Sequence, residues 1–317
     1  YESRLITHLL KAPVQDGGQW DMFVNLINKY GAVPKDVMPE TNHSSKSGAM
    51  NYILTHKLRE FASILRKKPA KNSAALKKDM METIYNLLAM FLGQPPDVIN
   101  WSTRNKDNKH IVISDMRPKD FCKKYADINI KDKVCLIHAP MSNKKFNTMY
   151  TVQYLGNVVE GQIIKYLNIN IDDMKKYAIK SLKDNEAVWF GCDVGKMFHR
   201  DLGVMDMNLY NYKLTFGVDS NMDKATRLEY GDSQMTHAML FTGVDIKDNK
   251  SVKWRVENSW GVKGGCKGYY LMTDQWFNQY NYEVVIDKKY LPEKVKKIFK
   301  NKPTLLDPWD PMGALAK

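Results

Sequence analysis

The spacing of apolar residues changes near residue 150, and that change restricts the fold more than any other feature of the chain. Before it, apolar side chains recur at three- and four-residue intervals. Trp20, Phe23, Val24, Ile27 and Tyr30 form one stripe, and Leu58, Phe61 and Leu65 a second. Leu76, Met80, Ile84, Leu87, Leu88 and Phe91 form a third. These are helices with one buried face. Gly31, Pro69 and the group Gly93, Pro95, Pro96 read as their stops. Residues 101–150 read as mixed and polar, with a short helix after Pro118 and a strand at Val134–His138. After residue 150, Tyr150-Val152-Tyr154 alternates as a strand does, and 187–192, 235–244, 252–257, 268–272 and 283–286 are short strand candidates. A single helix starts at Asp172-Asp173, with Met174, Tyr177 and Leu182 on its apolar face. Helices gathered in one half and strands in the other predict an α+β fold, not alternating βα units.

A length of 317 residues is enough for two domains with real cores. The longest apolar stretch, Tyr85 to Gly93, is too short to span a bilayer, so no membrane partner is expected. Net charge is +13, and +11 of it falls in residues 41–150. Such a block attracts nucleic acid or acidic peptides, or else forms a solvated helical face on an assembly. Cys122, Cys135, Cys192 and Cys266 make no metal-binding spacing, and no phosphate loop, zinc-protease motif or calcium loop occurs. No cofactor is expected. The glycine-rich run 261–268 is followed by a strand-like segment rather than a helix, so it reads as a turn and not a phosphate cradle.

One histidine differs from the other six in its surroundings. His237 opens a strand in Met235-Thr236-His237-Ala238-Met239, and about twenty residues on, Glu257-Asn258-Ser259-Trp260-Gly261 closes the next. Adjacent antiparallel strands of this length set His237 beside Asn258. An imidazole that exchanges protons needs its second nitrogen held by a fixed acceptor, and a carboxamide does this without adding charge. Trp260 would shield that bond from water. Residue types alone favour instead a buried histidine satisfied by a neighbouring amide, with Trp260 as ordinary core.

The string Thr236-His237-Ala238, then Asn258-Ser259-Trp260-Gly261, then Gly268-Tyr269, resembles the second half of papain-like cysteine proteases. Asp16-Gly17-Gly18-Gln19-Trp20, followed by Lys29-Tyr30-Gly31-Ala32-Val33-Pro34, is similar to the segment of that family that carries a Gly-Gly pair ahead of a helix. About a hundred mostly helical, basic residues lie between the halves. With the ending Trp309-Asp310-Pro311-Met312-Gly313-Ala314-Leu315-Ala316-Lys317, the chain resembles the bleomycin hydrolase family of cysteine aminopeptidases over nearly its whole length.

The resemblance implies a papain-like α+β fold in four parts. Residues 1–45 are the remainder of the helical half, and 46–150 a basic helical insertion that makes oligomer contacts. Residues 151–300 are the β-rich half, and 301–317 a tail entering the cleft. It implies His237 as acid/base, Asn258 as its orienter, Trp260 as support, and Gly17 and Gly18 lining the substrate cleft. Lys317 (or Ala316, if the last residue is trimmed) would carry a terminal carboxylate that pairs with a substrate's α-ammonium. Peptide and amide substrates, a homohexamer, a cytoplasmic location and a secondary affinity for nucleic acid are implied with it.

The nucleophile departs from the pattern. The family's cysteine precedes a tryptophan, with a glutamine shortly upstream. Here the residues after the four cysteines are Lys123, Leu136, Asp193 and Lys267, and Gln19 lies in a different motif. The chain opens on Tyr1. Either an upstream segment supplies the cysteine, or this is a degenerate homologue that serves as a scaffold or nucleic-acid binder. The expectation is that the 317-residue chain alone is inactive.

Overall fold

The computed structural model describes residues 3–15, 17–67, 73–126, 130–219 and 222–316. The chain forms two compact units, Tyr1–Asp16 with Phe23–Ile128, and Gly17–Met22 with Asn129–Ala316. The expected helix stop at Pro69, along with Asp16 and Lys317, lies outside the described residues.

The first unit is built on helices. Arg4–Lys11 is the first of them, and its C-terminal carbonyls are capped by Arg59, which donates to Leu10 O (2.9 Å) and Lys11 O (2.7 Å). The helix Trp20–Tyr30 ends at Gly31, whose φ is +81° and whose N–H bonds Ile27 O. A side chain at Gly31 would collide with the Pro118 backbone, so both conformation and space require glycine. The helices Gly48–Lys67 and Ser73–Leu92 carry the two predicted stripes. The second of these stops at Gly93, as expected. Residues 99–116 correct the reading of this region as merely mixed. They form an antiparallel hairpin of β1 (Ile99–Arg104) and β2 (His110–Met116), which pairs Trp101 with Ile113 and Thr103 with Ile111.

The second unit holds an eleven-stranded mixed sheet. Its strands are β3 (Lys133–Ile137), β4 (Thr148–Val152), β5 (Tyr166–Asn168), β6 (Val188–Cys192), β7 (Phe198–His199), β8 (Val204–Met205), β9 (His237–Lys247), β10 (Lys250–Glu257), β11 (Tyr269–Thr273), β12 (Asn281–Asp287) and β13 (Thr304–Leu306). Their spatial order is β13-β4-β5-β3-β12-β6-β9-β10-β11-β8-β7. The central run from β3 to β11 is antiparallel, as the sequence suggested. The expected strand through Tyr154 stops at Val152, because Tyr154 turns the chain with φ +59°. The strand expected from Met235 begins at His237 and runs on to Lys247.

The helix Ile171–Lys183 lies where Asp172 and Asp173 placed it. Asn170 caps it by accepting the Asp173 N–H, and the two carboxylates suit the positive end of its dipole. Its buried residues, Met174, Tyr177 and Ala178, meet a core of Phe190, Phe241, Trp254 and Phe277. Phe190 and Phe241 stack at 3.8 Å between ring centres. Among the described residues, no helix is long and apolar enough to cross a membrane.

Candidate active site

β9 and β10 are consecutive antiparallel partners in which Glu257 faces Leu240. That register brings the first residue of β9 and the residue just past β10 together at one end of the ladder. His237 Nε2 lies 2.8 Å from Asn258 Oδ1. Asn258 is pinned on both sides, since its N–H donates to Gly268 O (3.2 Å) and its Oδ1 accepts the Ser259 N–H (2.8 Å). Gly268 supplies that carbonyl from a left-handed conformation, φ +88°. The Ser259 bond decides the orientation of the carboxamide. Turning it over would set an NH2 group against an N–H, donor to donor. Oδ1 therefore faces the imidazole, the imidazole proton sits on Nε2, and Nδ1 is left to exchange a proton with a reacting group.

Trp260 covers this pair. Its ring lies 4.7 Å from the His237 ring at an interplanar angle of 31°. The Arg200 guanidinium sits 4.7 Å from the indole, and Phe198 and Tyr270 pack around it. The aromatic wall lowers the local dielectric around the His–Asn hydrogen bond and keeps water from competing for it.

Two of the four cysteines are sealed in the core. Cys192 faces His237 across the β6–β9 ladder, yet it is completely buried in the core. Burial pushes its thiol well above the ordinary range, with the Asp193 charge adding to the effect. Cys135 is likewise buried, and its thiol is raised in the same way. A nucleophilic sulfur needs the opposite shift.

Gly17 and Gly18 take different roles. A side chain at Gly17 would collide with the Leu315 carbonyl of the tail. Gly18 is exposed, and a Cβ there would meet nothing within 4 Å. The tail itself is docked. Met312, Gly313, Ala314 and Leu315 are buried, and Gln19 Nε2 donates to Met312 O (3.4 Å). Asp310 pairs with the buried ammonium of Lys144 at 2.7 Å. Leu315 packs over Gly191 together with Met235, and Gly191 pairs with Ala238, the neighbour of His237. The stiff path expected from Pro308, Trp309 and Pro311 thus ends over β6, the strand between β12 and β9.

Two features were not anticipated from the sequence. Glu283 is fully buried on β12, opposite Gly191. Burial pushes its carboxyl up to about 8; the weak thiol donor of Cys135 offsets part of this, and the Asp21 charge adds to it. The second feature is the hydrogen-bonded entry into β9 at residues 233–236, described below. Glu283 had a signal, a carboxylate inside an otherwise apolar strand; the β9 entry had none.

A family profile described as Peptidase C1-like family matches residues 1–313. Aminopeptidase C of Listeria innocua is 48% identical over 317 residues, covering 99% of this chain and 72% of the relative. Bleomycin hydrolase of Mus musculus is 48% identical over 329 residues, covering 100% of this chain and 72% of the relative. The crystal structure of PepW from Lactobacillus rhamnosis superposes with a TM-score of 0.96 at 48% identity, covering 99% of this chain and 72% of that one. The papain-like α+β fold expected from the motifs is the fold observed. Relatives of this kind are cysteine aminopeptidases, and with the family profile running almost from end to end, the chain belongs to the Peptidase C1-like family.

Proposed function

We propose that this chain provides the proton-handling half of a cysteine aminopeptidase of the bleomycin hydrolase type, acting on N-terminal peptide bonds and on amide-bearing compounds. The observation that carries the reading is the 2.8 Å contact from His237 Nε2 to an Asn258 oxygen fixed by the Ser259 N–H. In this reading a cysteine thiol gives its proton to His237 Nδ1, and the resulting thiolate forms a bond to the substrate carbonyl carbon while the carbonyl electrons move to oxygen. Collapse expels the amine, which takes its proton from His237 Nδ1. Water then gives a proton to the same nitrogen, adds to the thioester and releases the thiolate. Asn258 orients the ring throughout, and the open backbone at Gly18 pairs with an extended substrate.

The sulfur is none of this chain's four cysteines, and an upstream Gln…Cys-Trp segment supplies it. The terminal carboxylate on Lys317, or on Ala316 after trimming, pairs with the substrate's α-ammonium and confines cleavage to the amino end. Residues 46–150 supply contacts in a cytoplasmic homohexamer. The +11 charge of residues 41–150 supports nucleic acid as a secondary ligand, whose affinity would fall steeply with salt.

The test adds back the segment that precedes residue 1 in the gene. Release of a fluorophore from aminoacyl amides should appear only when that segment is present, and should vanish on thiol alkylation. Turnover by the 317-residue chain alone, or a preceding segment with no cysteine, would overturn the reading.

A further inference from the structure

The strand that carries His237 is reached through a short segment, Ser233–Thr236, and one buried carboxylate gathers that segment. Asp193 follows directly after β6 and is 5% exposed. Its Oδ2 accepts the Ser233 hydroxyl (2.8 Å) and the Gln234 N–H (3.4 Å), and its Oδ1 accepts the Thr236 hydroxyl (3.3 Å). Ser233 Oγ also meets the Tyr282 hydroxyl at 2.6 Å. Thr236 N–H donates to Cys192 O (2.9 Å), and Val194 N–H donates back to Thr236 Oγ1 (3.3 Å). Asp193 is itself held by its own N–H, which donates to Tyr280 O at 3.0 Å.

These bonds tie the end of β6 to the beginning of β9 at the point where Cys192 faces His237. Hydrogen bonds to a buried carboxylate are stronger than those between neutral groups, and three of them converge on one short segment. Without them, Thr236 would be tied only to Cys192 O and the Val194 N–H, Ser233 and Gln234 would lose their shared anchor, and the imidazole would lose its fixed height opposite Asn258. We propose that Asp193 is a positioning residue for His237: its carboxylate, through Ser233 and Thr236, sets the entry of β9 so that Nε2 meets the Asn258 oxygen and Nδ1 points to the reacting group. The proposal rests on His237 as the acid/base of this site. It assigns Asp193 no contact with substrate.

A tautomer measurement on the 317-residue chain tests this. With ¹⁵N-histidine labelling and His237→Gln to assign the signal, two-bond proton–nitrogen spectra of the neutral ring report which nitrogen carries the proton. The unchanged chain should show His237 as the Nε2–H tautomer. Thr236→Val, which keeps the shape and removes the hydroxyl, and Asp193→Asn should each mix the tautomers, changing their ratio by about tenfold. Thr236→Ser should restore the single form. The aromatic circular dichroism of each variant confirms the native core, and if Asp193→Asn fails that check, Thr236→Val with Thr236→Ser decides. A pure Nε2–H signal in folded Thr236→Val and Asp193→Asn overturns the positioning role. Asn258→Ala separates the two levels: if the tautomer does not change there, the His–Asn pair itself is misread, whatever Asp193 does.

Discussion

Two helices of this chain make opposite use of their apolar residues. Ser73–Leu92 in the first unit has 20 residues and buries one of those described, Met80. Ile171–Lys183 in the second unit has 13 residues and buries Met174, Tyr177, Ala178 and Ser181 against the sheet. Leu58, Phe61 and Leu65 on the helix Gly48–Lys67 are likewise only half-buried, whereas Trp254, Phe190 and Phe241 are closed off completely. Both kinds of helix show the same periodicity in sequence. Periodicity fixes which face is apolar, and the layer available to cover that face decides how much burial stabilises the fold. Most of the stability therefore belongs in the sheet unit, the one that also carries His237 and Asn258.

The sharpest attempt to break this contrast is mutation of the two cores. Phe241→Ala should cost about 3–5 kcal/mol in urea unfolding, and Leu65→Ala about 1 kcal/mol. Equal losses would remove the distinction between the units. The next effect concerns the buried carboxyl of the sheet. Glu283 binds its proton more tightly when folded, up to about 8, than in the unfolded chain, where it titrates in the ordinary carboxyl range. Between those values the unfolded state carries fewer protons, so stability falls as pH rises, by up to about 1.4 kcal/mol per pH unit. Glu283→Gln should flatten that slope between pH 5 and 8; parallel curves for the two proteins would show that Glu283 is not held neutral.

Smaller effects sharpen the picture of the sheet unit. Gly17→Ala drives a methyl into the Leu315 carbonyl and should loosen residues 312–315, costing about 1–3 kcal/mol. Hydrogen exchange at those amides reads it directly, and unchanged protection would mean that the tail has another anchor. Asn170→Ala removes a helix cap and should cost about 1 kcal/mol.

What the sequence revealed follows the distance along the chain over which each feature is built. Helix stripes and single strands are local, and most lie where their spacing put them. His237 and Asn258 are 21 residues apart on consecutive hairpin strands, so their meeting was legible. The hairpin of β1 and β2 was not, because Asn105–Lys109 turns the chain without a glycine and the alternation of Trp101 and Thr103 with polar residues is weak. The Asp193 clamp joins β6 to β9, strands that neighbour each other in the sheet with two others between them in the chain, and no local pattern announces it. The same holds for the contact between Gly17 and Leu315, which spans almost the whole sequence.

The central claim is that His237 moves the proton in amide hydrolysis. Its most direct measurement is kcat/KM for an aminoacyl amide, with the proposed cysteine-bearing upstream segment added, for the native sequence and for His237→Ala. General acid–base catalysis of this kind predicts a loss of about 10²- to 10⁴-fold, while undiminished turnover by folded His237→Ala would contradict it.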